Sequence, residues 1–387
     1  MKNQNVAATL VFPGGMSKSL EYARSRKGDG GRVIGASSLA SDPASGQYDE
    51  WLYLPFVTDS RFEPQLKALL AQHKVTGIYT PNIVVWNHLK GLLDAPGTEV
   101  ALVNTSPADA DMSSYRKALK QANALLLNPV PIAADTTCQD SISEKELAAL
   151  FREADLIPGM CDDEKMVALC EILRRSPQGD IVEIGSWWGK SAYILARLAK
   201  YYGTGKLLCV DPWSSDDLIQ NDESGIVDAV VANLDVNEAL TVFELNLLGA
   251  NDGCVNYLRM TSVQGSERYR SGVPVATPSF GTTSYTGRIS VLHIDGNHSF
   301  DAVKADVEAW TGYVIPGGWI IFDDYDWAYG DGPRVNADEF IRSNLYRVAV
   351  AFVMGGALFI QLSAGLKVDE GRRLEMLAEL KRKSLQR

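Results

Sequence analysis

Three consecutive segments in the middle of the chain alternate between the apolar patterns of a strand, a helix and a strand. DIVEIG (180–185) and KLLCVD (206–211) are short apolar runs, and KSAYILARLAKYY (190–202) between them repeats apolar residues at helical spacing. Such a unit joins two parallel strands by a crossover that is right-handed in nearly all proteins. The chain is therefore predicted to contain a parallel sheet covered by helices.

The segments that follow extend this pattern towards the C-terminus. Further strands are predicted at 255–260, 289–295 and 317–324, with a helix at 299–310 and a hairpin at 346–362 that turns at Gly355 and Gly356. Helices are also predicted at 143–154 and 162–175, over most of 214–253 and in the charged C-terminal tail. Residues 271–287 are rich in Gly, Pro, Ser and Thr and are predicted to form a long loop.

The N-terminal part has the pattern of a second, smaller α/β unit. Strands are predicted at 6–12, 32–37, 50–55 and 75–81, and a helix at 61–73. We expect an auxiliary, Rossmann-like α/β domain over 1–130, a linker and helix over 131–154, and a larger domain over 155–387.

Composition excludes several classes of partner. The formal net charge of −11 argues against nucleic acid or an anionic membrane as a partner. The five cysteines form no CxxC pair, which favours a reducing compartment over a disulfide scaffold or a zinc site. The sequence has no run of eighteen apolar residues, and its first residues lack a signal-peptide pattern. We therefore expect a cytoplasmic protein.

The turn after the first of these central strands, VEIGSWWGKS (182–191), offers a place for a ligand. Gly185 permits a sharp turn, and the helix that follows presents unpaired N–H groups. The loop is one residue too short for a phosphate-binding Walker A motif. Trp187 stands where a dinucleotide-binding turn has its second glycine, which disfavours a pyrophosphate. A tight turn without any ligand is the alternative interpretation.

Asp211 ends the next strand. A carboxylate at this place can accept hydrogen bonds from both ribose hydroxyls of a nucleoside, whether nicotinamide or adenosyl. The alternative is a helix cap or a solvated aspartate.

Two further strands end in carboxylates. VLHID ends at Asp295, and WIIFDD ends at Asp323 and Asp324. In an open α/β sheet these strand ends line the ligand site. The mutual repulsion of three converging carboxylates must be relieved by protonation, by basic neighbours or by a bound cation. If a cation binds, ligands that are all oxygen atoms favour a hard ion such as Mg²⁺. Helix capping and solvated turns are the alternative.

His298 follows Asp295 by three residues. A neutral imidazole there could accept a proton near pH 7, although a surface or capping histidine is the alternative. His293 lies inside the strand and is predicted to pack in the core.

Taken together, residues 155–362 resemble the class I S-adenosylmethionine-dependent methyltransferases. The segments VEIGSWWGKSA, LLCVDPW, VLHIDGNHSFDAVKADVEAW and VIPGGWIIFDDYDW occur in the order of that class. The last two are similar to the metal-dependent sugar O-methyltransferases of macrolide and aminocoumarin pathways and to their cephalosporin-hydroxylase-like relatives. The resemblance implies a seven-stranded, mostly parallel, doubly wound sheet in 155–387.

The resemblance also implies roles for single residues. The candidate cofactor contacts are Glu183, Gly185, Ser186, Gly189, Ser191, Asp211, Thr261, Ser262 and Asp295. The implied ligands of Mg²⁺, or of another hard divalent cation, are Asp295, Asp323 and Asp324. His298 matches the base of that family.

The expected reaction is methyl transfer from S-adenosylmethionine to a hydroxyl of a sugar or glycosylated metabolite, which would enter beneath 214–253 and 271–287. Other small-molecule O-methyltransferases of catechol type, a nicotinamide-dependent oxidoreductase and a non-catalytic binding protein are the alternatives. The N-terminal domain weakly resembles the nucleotide-fold domain that precedes ATP-grasp domains. We expect it to build the interface of a homo-oligomer or to cover the active site of a partner subunit.

Overall fold

A computed structural model describes residues 7–95, 99–132, 134, 136–220 and 225–365. These residues divide into two compact units, Met1–Arg116 and Lys117–Arg387. The predicted helix of the C-terminal tail lies outside the described residues.

The N-terminal unit is built on a parallel sheet, as the sequence predicted. Its strands are β1 (Ala8–Val11), β2 (Arg32–Ser37), β3 (Glu50–Tyr53), β4 (Val75–Tyr79) and β5 (Ala101–Leu102). They lie in the order β3-β2-β1-β4-β5, and every pairing is parallel. The helices that begin in this unit are α1 (Ser17–Gly28), α2 (Phe62–His73), α3 (Ile83–Leu93) and α4 (Pro107–Leu127). The sequence patterns did not predict α3, β5 or α4.

The division between the units falls inside α4. Ala118, Ala122 and Leu125, on the second half of that helix, are buried in the core of the C-terminal unit. This packing explains why the structure divides the chain at residues 116 and 117. The domain limits 1–130, 131–154 and 155–387 stay predictions.

The C-terminal unit contains a seven-stranded sheet. Its strands are β6 (Asp180–Ile184), β7 (Leu207–Val210), β8 (Val255–Leu258), β11 (Ile289–Ile294), β12 (Val314–Phe322), β13 (Val348–Met354) and β14 (Ala357–Leu362), while β9 (Val275–Thr277) and β10 (Gly281–Thr283) pair with each other. The order is β13-β14-β12-β11-β6-β7-β8, and only β14 runs against its neighbours. The predicted class of fold is therefore confirmed, including the hairpin that turns at Gly355 and Gly356.

Helices cover both faces of this sheet. They are α5 (Glu144–Asp155), α6 (Asp163–Leu173), α7 (Lys190–Tyr202), α8 (Ile226–Val231), α9 (Val236–Leu248), α10 (Ser262–Arg270), α11 (Phe300–Trp310) and α12 (Gly332–Asn344). Neighbouring residues of one strand belong to different cores: Trp319 and Ile321 pack with α5, α6, α7 and α9, whereas Ile320 and Phe322 pack with α11 and α12. Strands buried on both faces explain why these segments read as continuous apolar runs.

Strand order changes direction between β6 and β11. From β6 the chain adds β7 and β8 on one side, whereas β11 and β12 lie on the other side. A crevice at the carboxyl ends of the strands opens at such a point, and ligands of open α/β sheets bind there. No helix among the described residues is long and apolar enough to cross a membrane.

Candidate active site

Four candidate residues form one row at the carboxyl edge of the sheet. Asp211, Gly185, Asp295 and Asp323 each follow directly on one of the adjacent strands β7, β6, β11 and β12. Each donates its backbone N–H to the last residue of the neighbouring strand, with N···O distances of 2.9–3.2 Å. The sheet ladder therefore extends by one residue and places these four residues side by side along the edge.

The turn after β6 depends on two glycines. Gly185 has a φ of +78°, and a Cβ atom built on it would lie 2.0 Å from the carbonyl oxygen of Asp295. Gly189 has a φ of +85° and caps α7, and a Cβ atom there would lie 2.5 Å from Leu247 on α9. The glycines thus allow the turn to lie against both the β11 terminus and α9.

Asp211 holds this turn from the neighbouring strand. Its Oδ2 accepts the N–H of Trp187 at 2.9 Å and its Oδ1 accepts that of Trp213 at 2.7 Å. Trp187 has a φ of +44°, which is strained for a residue other than glycine, and this hydrogen bond helps to fix it. Burial raises the pKa of Asp211 to about 6, although these N–H groups favour the charged form. The carboxylate therefore stabilises the turn itself, and its contact with a ribose stays a prediction.

Glu183 and His293 form a buried pair beneath the row. Nδ1 of His293 lies 3.0 Å from Oε1 of Glu183, and Ser186 donates its hydroxyl to Oε2 at 2.6 Å. Burial lowers the pKa of His293, but the hydrogen bonds and charges of Asp323, Glu183 and Asp295 outweigh it and raise the pKa to about 10. His293 lies in the core, as predicted, but the sequence did not reveal its carboxylate neighbours.

Lys165 lies at this site, although no sequence pattern pointed to it. It lies in the first turn of α6, and its ammonium group contacts Oδ2 of Asp323 and lies 3.9 Å from Oδ2 of Asp295. Only 4% of its side chain is exposed. Because α6 also contains Asp163, Glu164 and Glu171, its sequence does not mark this lysine as buried.

The charges around Asp323 set the ionisation of the two aspartates. Although burial opposes it, Lys165 and His293 hold the pKa of Asp323 well below its ordinary value. The pKa of Asp295 is raised well above its ordinary value by burial and by the negative charge of Asp323. Lys165 and His293 are therefore the basic neighbours that relieve the repulsion between these carboxylates.

His298 and Asp324 form a second pair on the outer side of the row. Nε2 of His298 lies 3.0 Å from Oδ2 of Asp324, which has a φ of +51°. The His298 ring lies edge-on to Trp327, with 4.4 Å between ring centroids. Nδ1 of His298 is buried and has no hydrogen-bond partner among the described residues. The predicted base is thus oriented by a carboxylate that was predicted as a metal ligand.

Two groups of side chains among the described residues could hold a metal ion. Their ligand atoms lie within 4.8 Å of one another, in the set His293, Asp295 and Asp323 and in the set Asp295, His298 and Asp324. Asp323 and Asp324 therefore belong to different groups, and Asp295 is common to both.

The remaining cofactor candidates occupy structural positions near this edge. Thr261 caps α10 in a reciprocal arrangement with Gln264, and Ser262 accepts a hydrogen bond from the Trp310 indole at 2.9 Å. Ser191 is buried in the first turn of α7. Their predicted contacts with the cofactor stay predictions.

The prediction that 271–287 covers the site is wrong. This segment forms the hairpin of β9 and β10, and the N–H groups of Thr286 and Gly287 bond to Asp180, the first residue of β6. It therefore lies at the amino edge of the sheet, opposite the row. Glycine and hydroxyl residues of a short hairpin gave the segment the composition of a loop. In 214–253, α9 contributes Phe243 and Leu247 to the core and is part of the scaffold.

Residues 182–325 match a protein family described as a methyltransferase domain, which covers less than half of the chain. The match begins in β6, ends just after β12, and includes every candidate cofactor and metal residue together with His298. A comparison with curated proteins gives no significant match.

Several solved structures are weakly similar. The O-methyltransferase NovP shares 13% identity over 64% of this chain and 79% of its own, with a TM-score of 0.35. CalS11, a TDP-rhamnose 3'-O-methyltransferase of calicheamicin biosynthesis, shares 17% identity over 67% and 96%, with a TM-score of 0.35. MycE, solved with Mg, SAH and mycinamycin VI, shares 14% identity over 50% of this chain and 46% of its own, with a TM-score of 0.31. Likeness at this level assigns neither substrate nor mechanism. The family match assigns residues 182–325, which lie on the seven-stranded sheet, to a methyltransferase domain.

Proposed function

We propose that this protein transfers a methyl group from S-adenosylmethionine to a hydroxyl group of a sugar or glycosylated metabolite. The observation that carries the proposal is the pair of His298 and Asp324, 3.0 Å apart, which lies beside Asp295 at the carboxyl ends of β11 and β12. A proton acceptor and carboxylates next to the glycine turn suit transfer to oxygen, because a hydroxyl must lose its proton as it is methylated.

The methyl donor is proposed to lie over the ends of β6 and β11. Gly185 and Gly189 allow its methionine part to approach the backbone, and Asp211 lies at the end of β7, where the ribose is expected. Trp187 at the second turn position leaves little room for a pyrophosphate, which supports an adenosyl ligand over a nicotinamide dinucleotide.

His298 is proposed to accept the acceptor's hydroxyl proton. Nε2 of His298 lies 3.0 Å from Oδ2 of Asp324, and this carboxylate stabilises the imidazolium that forms when His298 takes the proton. The acceptor oxygen forms a bond to the methyl carbon as the carbon–sulfur bond breaks, and that electron pair returns to sulfur. Positioning of the two reactants can contribute about 7–11 kcal/mol to such a reaction.

The outer carboxylates fit a hard divalent ion. About 22% of the Asp295 side chain and 34% of that of Asp324 are exposed, and both offer oxygen atoms. A bound Mg²⁺ would supply a Lewis acid that lowers the pKa of the acceptor hydroxyl. Both oxygens of Asp323 already have partners, Lys165 and the N–H of Asp324, so its role as a third ligand stays a prediction.

Transfer to a catechol-type phenol is the second candidate. Neighbouring hydroxyls of a sugar and of a catechol present the same pair of oxygens to the outer carboxylates, so the site chemistry accommodates both.

The proposal is tested by binding and then by product. Calorimetry is carried out with S-adenosylhomocysteine and with NAD, each with and without Mg²⁺. S-adenosylhomocysteine should bind, and NAD should not. Incubation with S-adenosylmethionine and nucleotide sugars, glycosylated metabolites or catechols should then give one methylated product by mass. Binding of NAD instead, or no mass change with any acceptor, would contradict the proposal.

We also propose that the N-terminal unit builds a homo-oligomer interface. Exposed apolar side chains lie at or just after the ends of its strands: Met16, Leu39, Tyr53, Phe56, Ile83, Val84 and Val103. Light scattering of the full chain should give an oligomeric mass that falls when Phe56 and Val84 are changed to Asp. A monomeric wild-type protein would contradict this role.

A further inference from the structure

Lys165 lies at the proposed active site but has no role in the proposed reaction. Its ammonium group lies behind the row of strand-end residues, in contact with Asp323 and 3.9 Å from Asp295, and only 4% of its side chain is exposed. A buried charge is tolerated only when it is paired, so this contact is strongly constrained. The lysine is thus built into the carboxylate site itself.

On the inner side of the site, the oxygen atoms of Asp323 already have partners within this chain. Oδ2 of Asp323 contacts Lys165 and lies 3.3 Å from Nε2 of His293, while its Oδ1 accepts the N–H of Asp324 at 2.9 Å. Oδ2 of Asp295 also faces inward, 3.7 Å from Nε2 of His293. The side chains of Lys165 and His293 therefore occupy the space where the aspartate oxygens converge.

The outer side differs in charge and exposure. Asp295, His298 and Asp324 have ligand atoms within 4.8 Å of one another, and all three are partly exposed. A divalent ion can approach these side chains from solvent, whereas the side chain of Asp323 is only 6% exposed. The two sides of the row thus offer two different cation positions.

We propose that Lys165 is the resident cation of this site: it positions Asp295 and Asp323 without a metal and restricts a divalent ion to the outer group, where Asp295 and Asp324 are the ligands. This inference rests on the metal site of the proposed function and assigns a role to a residue outside the family match. Lys165 acts through the carboxylates and is a positioning residue.

Binding of Mn²⁺ tests the proposal without cofactor or acceptor. Mn²⁺ is titrated into the full-length protein and followed by calorimetry or electron paramagnetic resonance, in wild type, Lys165→Met and Lys304→Met. Loss of a positive charge within several ångströms of the ion should tighten binding about tenfold or more in Lys165→Met. Lys304→Met removes an exposed lysine of α11 and should leave the affinity unchanged. Unchanged or weaker binding by Lys165→Met would overturn the proposal, because a merely structural lysine gives no gain in affinity.

A second comparison keeps the test decisive if Lys165→Met does not fold. Asp323→Asn and Asp324→Asn change neighbouring carboxylates, of which only Asp324 belongs to the outer group. Asp324→Asn should weaken Mn²⁺ binding about tenfold or more, and Asp323→Asn by clearly less, since a ligand contributes more than a nearby charge. Equal losses in the two variants, or a wild-type protein and a Lys165→Met variant that both bind no Mn²⁺, would overturn the proposal. Binding of S-adenosylhomocysteine is measured separately, so failure of the methyltransferase assignment gives a different result.

Discussion

Nδ1 of His293 lies 3.0 Å from Oε1 of Glu183, and neither side chain has any exposed surface. The pair joins two parts of the site: Glu183 also holds Ser186 in the glycine turn, and Nε2 of His293 lies 3.3 Å from Oδ2 of Asp323. A chain of buried polar contacts thus connects the proposed cofactor turn with the carboxylate row.

Replacement of His293 by Leu tests this connection. Loss of the cation leaves Glu183 and Asp323 buried with fewer partners, and removal of one member of a buried pair costs about 3–5 kcal/mol. Thermal and chemical denaturation should show this loss in the free energy of unfolding. His88→Leu is the control, since about a third of that side chain is exposed and it lies in the N-terminal unit. A His293→Leu variant as stable as the control variant would show that the pair contributes little.

Gly185 and Gly203 provide a matched comparison of two left-handed glycines. Both have positive φ angles, of +78° and +62°, but a Cβ atom at Gly203 meets no atom within 4 Å. Gly203→Ala should therefore cost only the backbone strain of about 1–2 kcal/mol. Gly185→Ala forces a collision with the backbone of Asp295 and should also weaken binding of S-adenosylhomocysteine, as measured by calorimetry. Equal effects of the two substitutions on binding would exclude a special role for the close approach at Gly185.

His298→Gln should lower the rate of methyl transfer about 10²–10⁴-fold, the usual contribution of a positioned base. Asp324→Asn should also lower the rate, since it removes the carboxylate that lies 3.0 Å from Nε2. Single-turnover assays at saturating S-adenosylmethionine and Mg²⁺ measure both effects. The bound amount of S-adenosylhomocysteine should stay unchanged in His298→Gln. A wild-type rate in that variant would assign the proton to another acceptor.

Asp306 predicts a dependence of stability on pH. It lies in α11 with 5% of its surface exposed, and burial raises its pKa to about 7, although a hydrogen bond from Ser262 favours the charged form. Because its folded-state pKa exceeds the unfolded value, this group's contribution to stability falls as pH rises from about 4 through 7.

The variant Asp306→Asn removes this titration. Its stability relative to wild type should therefore increase by about 2–3 kcal/mol between pH 5 and pH 8. Urea denaturation at the two pH values measures the change, with Asp301→Asn, an exposed aspartate of the same helix, as control. A difference that does not change with pH would mean that Asp306 titrates normally.

Much of the secondary structure near the site could be predicted because its signals are local. The strand expected at 180–185 is observed at Asp180–Ile184, and the helix expected at 190–202 has those limits. The residues that follow these strands were found for the same reason, since a carboxylate after an apolar run is visible without any knowledge of the fold. The row that they form then follows from parallel pairing.

Local composition misled where it did not reveal the neighbours of a segment. The segment 271–287 has the composition of a loop, yet Asn256 donates hydrogen bonds to the carbonyl groups of Val275 and Gly281 and so fixes it as a hairpin. Its place at the amino edge depends on Asp180, which is more than a hundred residues earlier.

The sequence by itself determined the alternation of strands and helices, the glycine turn and the carboxylates at the strand ends. Apolar periodicity and glycine positions are properties of neighbouring residues, so no tertiary contact is needed to read them. Only the tertiary structure decided which charges balance those carboxylates. Lys165 precedes Asp323 by 158 positions, and its burial and its contact with that carboxylate arise from the packing of α6 on the sheet. Folding therefore decides that Lys165 lies beside Asp323, because electrostatic pairing depends on distance in space and not on separation along the chain.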